Sequence, residues 1–415
     1  MLHYYPKMKD IKMASKILKN IFEPTKFTFE KDISKKYDCN LFLKREDLTP
    51  VRSYKIRGAY NKIYSLTKEK DKIEGIVSCS AGNHAQGVAF SCNKLNIPGL
   101  IFMPKNTTKQ KIDKVKNFGG DMIKIYLEGN TFDESYDAAN KCSIEKQLDF
   151  VHPFDDRKVI EGQATVGLEI LNQCKNTKID YLFLPVGGGG LSAGVSTYFK
   201  HYSPQTKIIG LEPLGAPSLT EAFKQRKVVK LDSINTFVDG ASVKKIGDLN
   251  FPILQRNLDD ILLVDEGHVC SKILEIYNNN GIIIEPAGIL SLCALDVMKK
   301  DINGKNVVSI ISGSNSDVFR MPEILDRSLI YEGKKQYFKI EFTQKAGALK
   351  NFIISILGPN DDIILFRYTK IINQEIGPVI LGIESKSKEE IDVLINKMLD
   401  NKISFQRLNP SSIYA

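Results

Sequence analysis

Four successive glycines, Gly187 to Gly190, stand directly between a continuous apolar run, YLFLPV (181–186), and the helical run AGVSTYFK (193–200), with Leu191 and Ser192 completing the turn. A backbone without Cβ atoms between a buried strand and a helix can wrap closely around a phosphate, because the helix N-terminus faces the negative charge. The same glycines also suit a tight-packing turn. Neither Gly-x-x-x-x-Gly-Lys-Ser/Thr nor Gly-x-Gly-x-x-Gly with a following acidic ribose ligand is present, which turns the reading away from ATP and NAD.

From about Asn40 to Ile311, short apolar runs alternate with longer stretches of helical period, the pattern of an open α/β sheet. IVSC (76–79), GLIFMP (99–104) and MIKIY (122–126) are the earlier apolar runs, and YLFLPV (181–186), KIIGLEP (207–213) and VVSIIS (307–312) read as buried strands with continuous rather than alternating apolar residues, as parallel, helix-covered strands have. At 415 residues the chain exceeds what one core usually serves. After Arg327 a polar junction, 331–336, precedes a compact set of elements in the order β-α-β-β-α-β, the ferredoxin-like split βαβ. We therefore expect a catalytic domain over 1–330 with a smaller lobe at about 50–150, a linker at 331–336, and a second domain over 337–415.

Three further constellations carry chemistry. Lys55, in Ser53-Tyr54-Lys55-Ile56-Arg57-Gly58, sits where apolar helix positions begin. A lysine that forms a Schiff base and then works as a base needs a partly buried amine of lowered pKa; taken alone, Lys55 reads as a surface residue. Ser80-Ala81-Gly82-Asn83-His84 is a small-residue turn between strand and helix, suited to a carboxylate or to plain capping. Ser312, in Ser312-Gly313-Ser314-Asn315, follows an apolar strand at the end where open α/β sheets place ligands, although an ordinary turn has the same composition.

Several classes are excluded. The net charge of +9 comes from lysines spread along the chain with no dense block, which argues against nucleic acid. Seven cysteines are scattered and never in a Cys-x-x-Cys pair, and the five histidines form no metal pattern, so no metal and a reducing compartment are expected. The first residues lack a continuous apolar core of the signal-peptide kind, and no run approaches the roughly 18 to 20 apolar residues a membrane span needs. The expectation is a cytoplasmic protein.

Taken together and in this order, the motifs resemble those of fold-type II pyridoxal-phosphate (PLP) enzymes, threonine dehydratases most closely. The resemblance runs from about residue 40 to the end. It implies that Lys55 holds PLP and later removes the Cα proton, that Asn83 bonds the cofactor's phenolic oxygen, and that Gly187, Gly188, Gly189, Gly190 and Leu191 cradle its phosphate. Ser312 would face the pyridine nitrogen; a neutral partner there leaves the ring a weaker electron sink, which suits β-elimination. Ser80, Ala81, Gly82, Asn83 and His84 would receive the substrate carboxylate. The implied reaction turns L-threonine into 2-oxobutanoate and ammonia, and L-serine into pyruvate. Racemases of this fold carry a serine where this chain has Ala81, so dehydration is favoured over racemisation. A cation site around Glu212, Ala216 and Ser218 is a further carry-over from those racemases.

The last segment resembles the single ACT-like domain of the shorter biosynthetic members, in Gly347-Ala348-Leu349, in the run 357–363 and in Tyr368-Thr369-Lys370. That implies feedback by isoleucine, countered by valine, in a homo-oligomer, dimer or tetramer. Two departures stand out: Lys345-Ala346 replaces Arg-Pro, which bears on effector binding, and Glu23-Pro24-Thr25 replaces Thr-Pro near the start. The competing readings are a catabolic serine/threonine dehydratase, which usually lacks the appended domain, a serine racemase, and a catalytically silent amino-acid sensor.

Overall fold

A computed structural model describes residues 4–175, 177–368 and 375–409. The chain divides into two compact units, Met1–Asp317 and Val318–Ala415.

The first unit holds two sheets. The smaller is wholly parallel, in the order Ile123–Leu127, Gly99–Met103, Ile76–Cys79, Asp149–Phe150, with Val77 opposite Leu100. Its helices, Asn83–Leu95, Lys109–Gly119 and Phe132–Glu145, return the chain after each strand. Ala85, Val88, Ala89 and Cys92 of the first helix pack on Ile76, Ile101 and Met103. The larger sheet runs Phe27–Phe29, Asn40–Arg45, Asn306–Ile311, Tyr181–Pro185, Lys207–Pro213, Asp260–Val264, parallel except for the antiparallel edge Phe27–Phe29. Every residue of Tyr181–Pro185 is buried, as a central strand covered on both faces must be. Leu182, Leu184, Val195 and Phe199 form its core, and burying each contributes about 1.5–3 kcal/mol of transfer free energy.

This order decides where chemistry can occur. Asn40–Arg45, Tyr181–Pro185 and Asn306–Ile311 are parallel neighbours or next-neighbours, so the segments that follow them, 46–54, Gly187–Gly190 and Ser312–Asn315, all emerge at one edge. Cys79 ends its strand in the same sense and hands the chain to Ser80–Asn83. Ligands of open α/β sheets bind beyond such carboxyl ends.

The second unit begins before the expected linker. Strand Lys335–Thr343 starts inside 331–336, and helix Met321–Tyr331 groups with this unit. The physical reason is local: Lys335 pairs with Asp326 at 2.6 Å, and the helix caps back through Glu332 N to Ser328 O. The sheet order is Asp362–Tyr368, Ile376–Glu384, Lys335–Thr343, Phe405–Leu408, all antiparallel, with a bulge between Ile363 and Leu365. Helices Ala348–Ile356 and Lys388–Asp400 bury Phe352, Ile356, Leu394 and Met398 against Phe338, Ile340, Leu381 and Ile383. Thr369 and Lys370 of the expected motif lie outside the described residues.

No disulfide joins the seven cysteines, five of which are buried. Among the described residues no helix is long and apolar enough to cross a membrane.

Candidate active site

Lys55 opens the helix Lys55–Glu69. The turn before it is fixed by Thr49, whose hydroxyl donates to Ser53 O at 2.8 Å and accepts from Ser53 N at 2.9 Å. Two residues beyond Lys55, Arg57 is buried among Glu46, Glu169, Thr25 and Thr165, and Lys44 joins the cluster through Glu169 at 2.6 Å. Two cations meet two carboxylates there, so the buried charges compensate one another. The Lys55 amine donates to Pro153 O at 2.9 Å and lies over the rings of Tyr54 and Phe154. Burial pushes the amine down to about 8, against the opposing pull of the Glu285 carboxylate.

The glycine turn is forced by its neighbours. A Cβ on Gly188 would fall 2.3 Å from the Phe154 ring, and one on Gly187 would fall 2.8 Å from Ala241 Cα. Gly189 has φ +90°, a conformation that L side chains resist. Asn250 donates to Gly188 O at 2.8 Å and Phe154 O at 3.1 Å, and Gly247 N donates to Gly188 O, so carbonyls turn outward to partners. Gly190 starts the helix Gly190–Tyr202, whose first turn, Leu191 included, lines the cavity.

Opposite, Ser80 N donates to Phe102 O, and Ser80 Oγ accepts from Gly82 N at 3.1 Å. A Cβ on Gly82 would meet nothing within 4 Å, so open space lies before this loop. His84 is buried behind it with Nε2 at 3.0 Å from Val151 O. A carbonyl only accepts, so Nε2 carries the proton and Nδ1, buried with no protein partner among the described residues, is left as an acceptor. Burial pushes the ring down to about 3, with the Lys55 charge adding to the effect, so the imidazole is neutral.

Lys55, Ser80 to His84, Gly187 to Leu191 and Ser312 line one cavity of about 1190 Å³. Ser312 is buried, and its hydroxyl donates to Ala287 O at 3.2 Å. The residues thus brought together are those singled out in the sequence. One that sequence reasoning missed joins them: Glu285, whose carboxylate accepts from Asn83 Nδ2 at 2.7 Å and at 3.1 Å from the N–H of Asn315, which closes the Ser312-Gly313-Ser314-Asn315 turn. Burial, with Asp239 nearby, pushes the Glu285 carboxyl up to about 7. Its only sequence signal is Glu285-Pro286, which marks a helix start.

Glu212 is bound up in capping. It accepts from Leu219 N at 2.7 Å, Thr220 N at 2.8 Å and the Thr220 hydroxyl at 2.8 Å, at the start of helix Ser218–Gln225. Among the described residues no group of three or more His, Cys, Asp or Glu side chains is placed to hold a metal.

A desolvated amine of lowered pKa, a cradle that a single Cβ would fill, and a helix N-terminus on one cavity fit a phosphorylated aldehyde cofactor. The family described as "Pyridoxal-phosphate dependent enzyme" matches residues 19–313, which defines the class of the first unit as a PLP enzyme. The family described as "C-terminal regulatory domain of Threonine dehydratase" matches residues 326–415. Biosynthetic L-threonine dehydratase IlvA of Halalkalibacterium halodurans is 49% identical over 402 residues, covering 97% of this chain and 96% of the relative. The Staphylococcus aureus protein of the same name is 47% identical, covering 98% and 95%. The chain belongs to the threonine dehydratase family of PLP-dependent enzymes. Among solved structures, the processed form of threonine deaminase isoform 2 from Solanum lycopersicum superimposes with TM-score 0.72 at 35% identity, over 79% of this chain and 96% of that one. Maize serine racemase follows with TM-score 0.71 at 28% identity, over 79% and 99%.

Proposed function

We propose that the chain is a threonine ammonia-lyase that converts L-threonine to 2-oxobutanoate and ammonia, accepts L-serine to give pyruvate, and supplies the first step of isoleucine synthesis in the cytoplasm. The observation that carries this reading is Lys55: one desolvated amine on the wall of a cavity that also presents a glycine cradle and a small-residue turn.

In this reading Lys55 holds the cofactor covalently, and Gly187 to Leu191 with the helix behind them take its phosphate. Asn83 would donate to its phenolic oxygen, and Ser312 would face the ring nitrogen. Bound there, PLP supplies a sink for the electron pair left at Cα. Ser80 to His84 receive the substrate carboxylate at the start of helix Asn83–Leu95 and so fix which Cα bond faces Lys55. Once released, the Lys55 amine would take the Cα proton and return it to the departing β-hydroxyl, which would leave as water, and the freed enamine would hydrolyse to keto acid and ammonia. Ala81 has no proton to offer from the far face, which favours elimination over the racemisation named for the maize neighbour.

For the regulatory unit we propose isoleucine as inhibitor and valine as its antagonist, in a homodimer or homotetramer. A cavity of about 450 Å³ between strand Lys335–Thr343 and helix Ala348–Ile356 supports this. Phe342, Leu349, Ile353 and Phe366 offer an aliphatic side chain its wall, and Lys345 offers an ammonium for a carboxylate.

The test is an absorbance spectrum before and after L-threonine, with 2-oxobutanoate assayed in the same cuvette. A band at about 410–420 nm, as a protein-bound PLP gives, followed by keto acid, is the expected result. A band without keto acid overturns the substrate.

A further inference from the structure

The amide of Asn83 has a hand, and the chain sets it without any ligand. Val51 O is a backbone carbonyl and can only accept, so the group facing it at 2.9 Å is the Asn315 amide nitrogen. That nitrogen lies 2.6 Å from the other amide, so the facing atom there is Asn83 Oδ1. Asn83 Nδ2 is then turned to Glu285, 2.7 Å away, whose second oxygen takes Asn315 N at 3.1 Å. Each assignment follows from a group that cannot play the opposite role. Gly313 is part of the same arrangement, because a Cβ on it would lie 2.3 Å from Glu285 Oε1.

One Asn83 Nδ2 hydrogen is consumed by Glu285 and the oxygen is engaged by Asn315. What remains is the second Nδ2 hydrogen, on a residue that lines the cavity. We propose that Glu285 and Asn315 are positioning residues that lock Asn83 as a pure hydrogen-bond donor toward the cavity, so that it selects an anionic or acceptor oxygen on the cofactor. This rests on the reading of Asn83 as a cofactor contact. A freely rotating amide would present its oxygen part of the time and repel such an atom. Glutamine at 285 has one acceptor oxygen for two donors, so Glu285→Gln satisfies Asn83 or Asn315 N but not both.

The experiment is a double-mutant cycle on cofactor affinity in the full-length protein stripped of PLP, read by equilibrium dialysis. Asn315→Ala and Glu285→Gln are each expected to weaken PLP binding roughly tenfold, as loss of a well-placed hydrogen bond to a charged group does. In an Asn83→Ala background, both effects are expected to shrink below about twofold, and all three single variants should move the bound-cofactor absorbance maximum in the same direction. Equal losses in both backgrounds, or no loss from Asn315→Ala and Glu285→Gln, overturn the proposal while leaving Asn83 at the cofactor. Unchanged PLP affinity in Asn83→Ala removes Asn83 from the cofactor and the proposal with it. Glu285→Gln keeps the shape of the side chain, so the cycle remains readable if Asn315→Ala does not fold.

Discussion

Arg57 grips Glu46 with two parallel hydrogen bonds, Nε to Oε2 at 2.7 Å and Nη2 to Oε1 at 2.8 Å, and both side chains are wholly buried. The pair fastens the helix that begins at Lys55 to the turn after strand Asn40–Arg45. Without Glu46, the buried cations Arg57 and Lys44 face the single carboxylate of Glu169, so one buried positive charge is left uncompensated. Glu46→Gln is therefore expected to lower stability by about 3–5 kcal/mol, read as the loss of free energy from urea unfolding. A change below about 1 kcal/mol would show that the cluster is solvated and does not anchor the helix.

Lys55→Ala removes the amine that faces the cavity. The expected outcome is loss of the bound-cofactor absorbance band and of steady threonine turnover, with PLP weakly held by its remaining contacts. Substantial residual turnover would take the catalytic role away from Lys55.

The lowered pKa of Lys55 has a definite sign in pH. In the cofactor-free protein the neutral amine, which is the nucleophile, is half populated near pH 8 instead of at the usual 10.5. Covalent capture of PLP, followed by stopped-flow absorbance, should accelerate with a midpoint of about 8 and level off above it. The unfolded chain keeps this proton up to 10.5, so between pH 8 and 10.5 it binds more protons than the folded one, and the Lys55 contribution to stability rises with pH across that window. A capture midpoint at 10 or above would mean that the amine is not desolvated.

Gly188→Ala drives a methyl group into the Phe154 ring. Overpacking of this kind costs about 1–3 kcal/mol, and relief requires the cradle itself to shift. PLP affinity is expected to fall at least tenfold, with a smaller drop in melting temperature. Retained affinity would show that the phosphate lies elsewhere.

Residues 318–415 are expected to be dispensable for chemistry and necessary for isoleucine inhibition. The cut belongs after Asp317, because helix Met321–Tyr331 groups with the regulatory unit and buries Ile324. A truncated chain with threonine turnover and no response to isoleucine is the expected outcome, checked by keto-acid assay across isoleucine concentrations. Inhibition that survives the cut would move the effector site into the first unit.

The sequence was most legible where one local rule sufficed. Continuous apolar runs marked Tyr181–Pro185 and Lys207–Pro213 as central parallel strands, and the ACT-like unit could be read element by element from its alternation. Phe27–Phe29 was hidden because three residues carry no periodicity, and Asp260–Val264 because half-exposed residues dilute an edge strand. In the site, Lys55, Asn83 and Gly187 to Gly190 announced themselves through ordered motifs. Glu285 did not, since it meets Asn83 across 202 residues of chain and its neighbours in sequence are ordinary helix-start residues. Local pattern marks elements and loops, whereas a contact made only by the closing of one sheet beside another has no local trace.

Cys79 lies on the same cavity wall as Lys55, at the end of the strand that leads into Ser80. A thiolate is a strong competitor for any aldehyde, but burial pushes this thiol up to about 12 while it brings the lysine amine down to about 8. Near neutral pH the amine therefore has a substantial neutral, reactive fraction, whereas the thiol stays almost wholly protonated. The same loss of water silences the sulfur and arms the nitrogen, because one is charged when reactive and the other is charged when idle. Desolvation therefore gives the cavity chemoselectivity: the soft nucleophile on the Lys55 wall is spectator rather than trap.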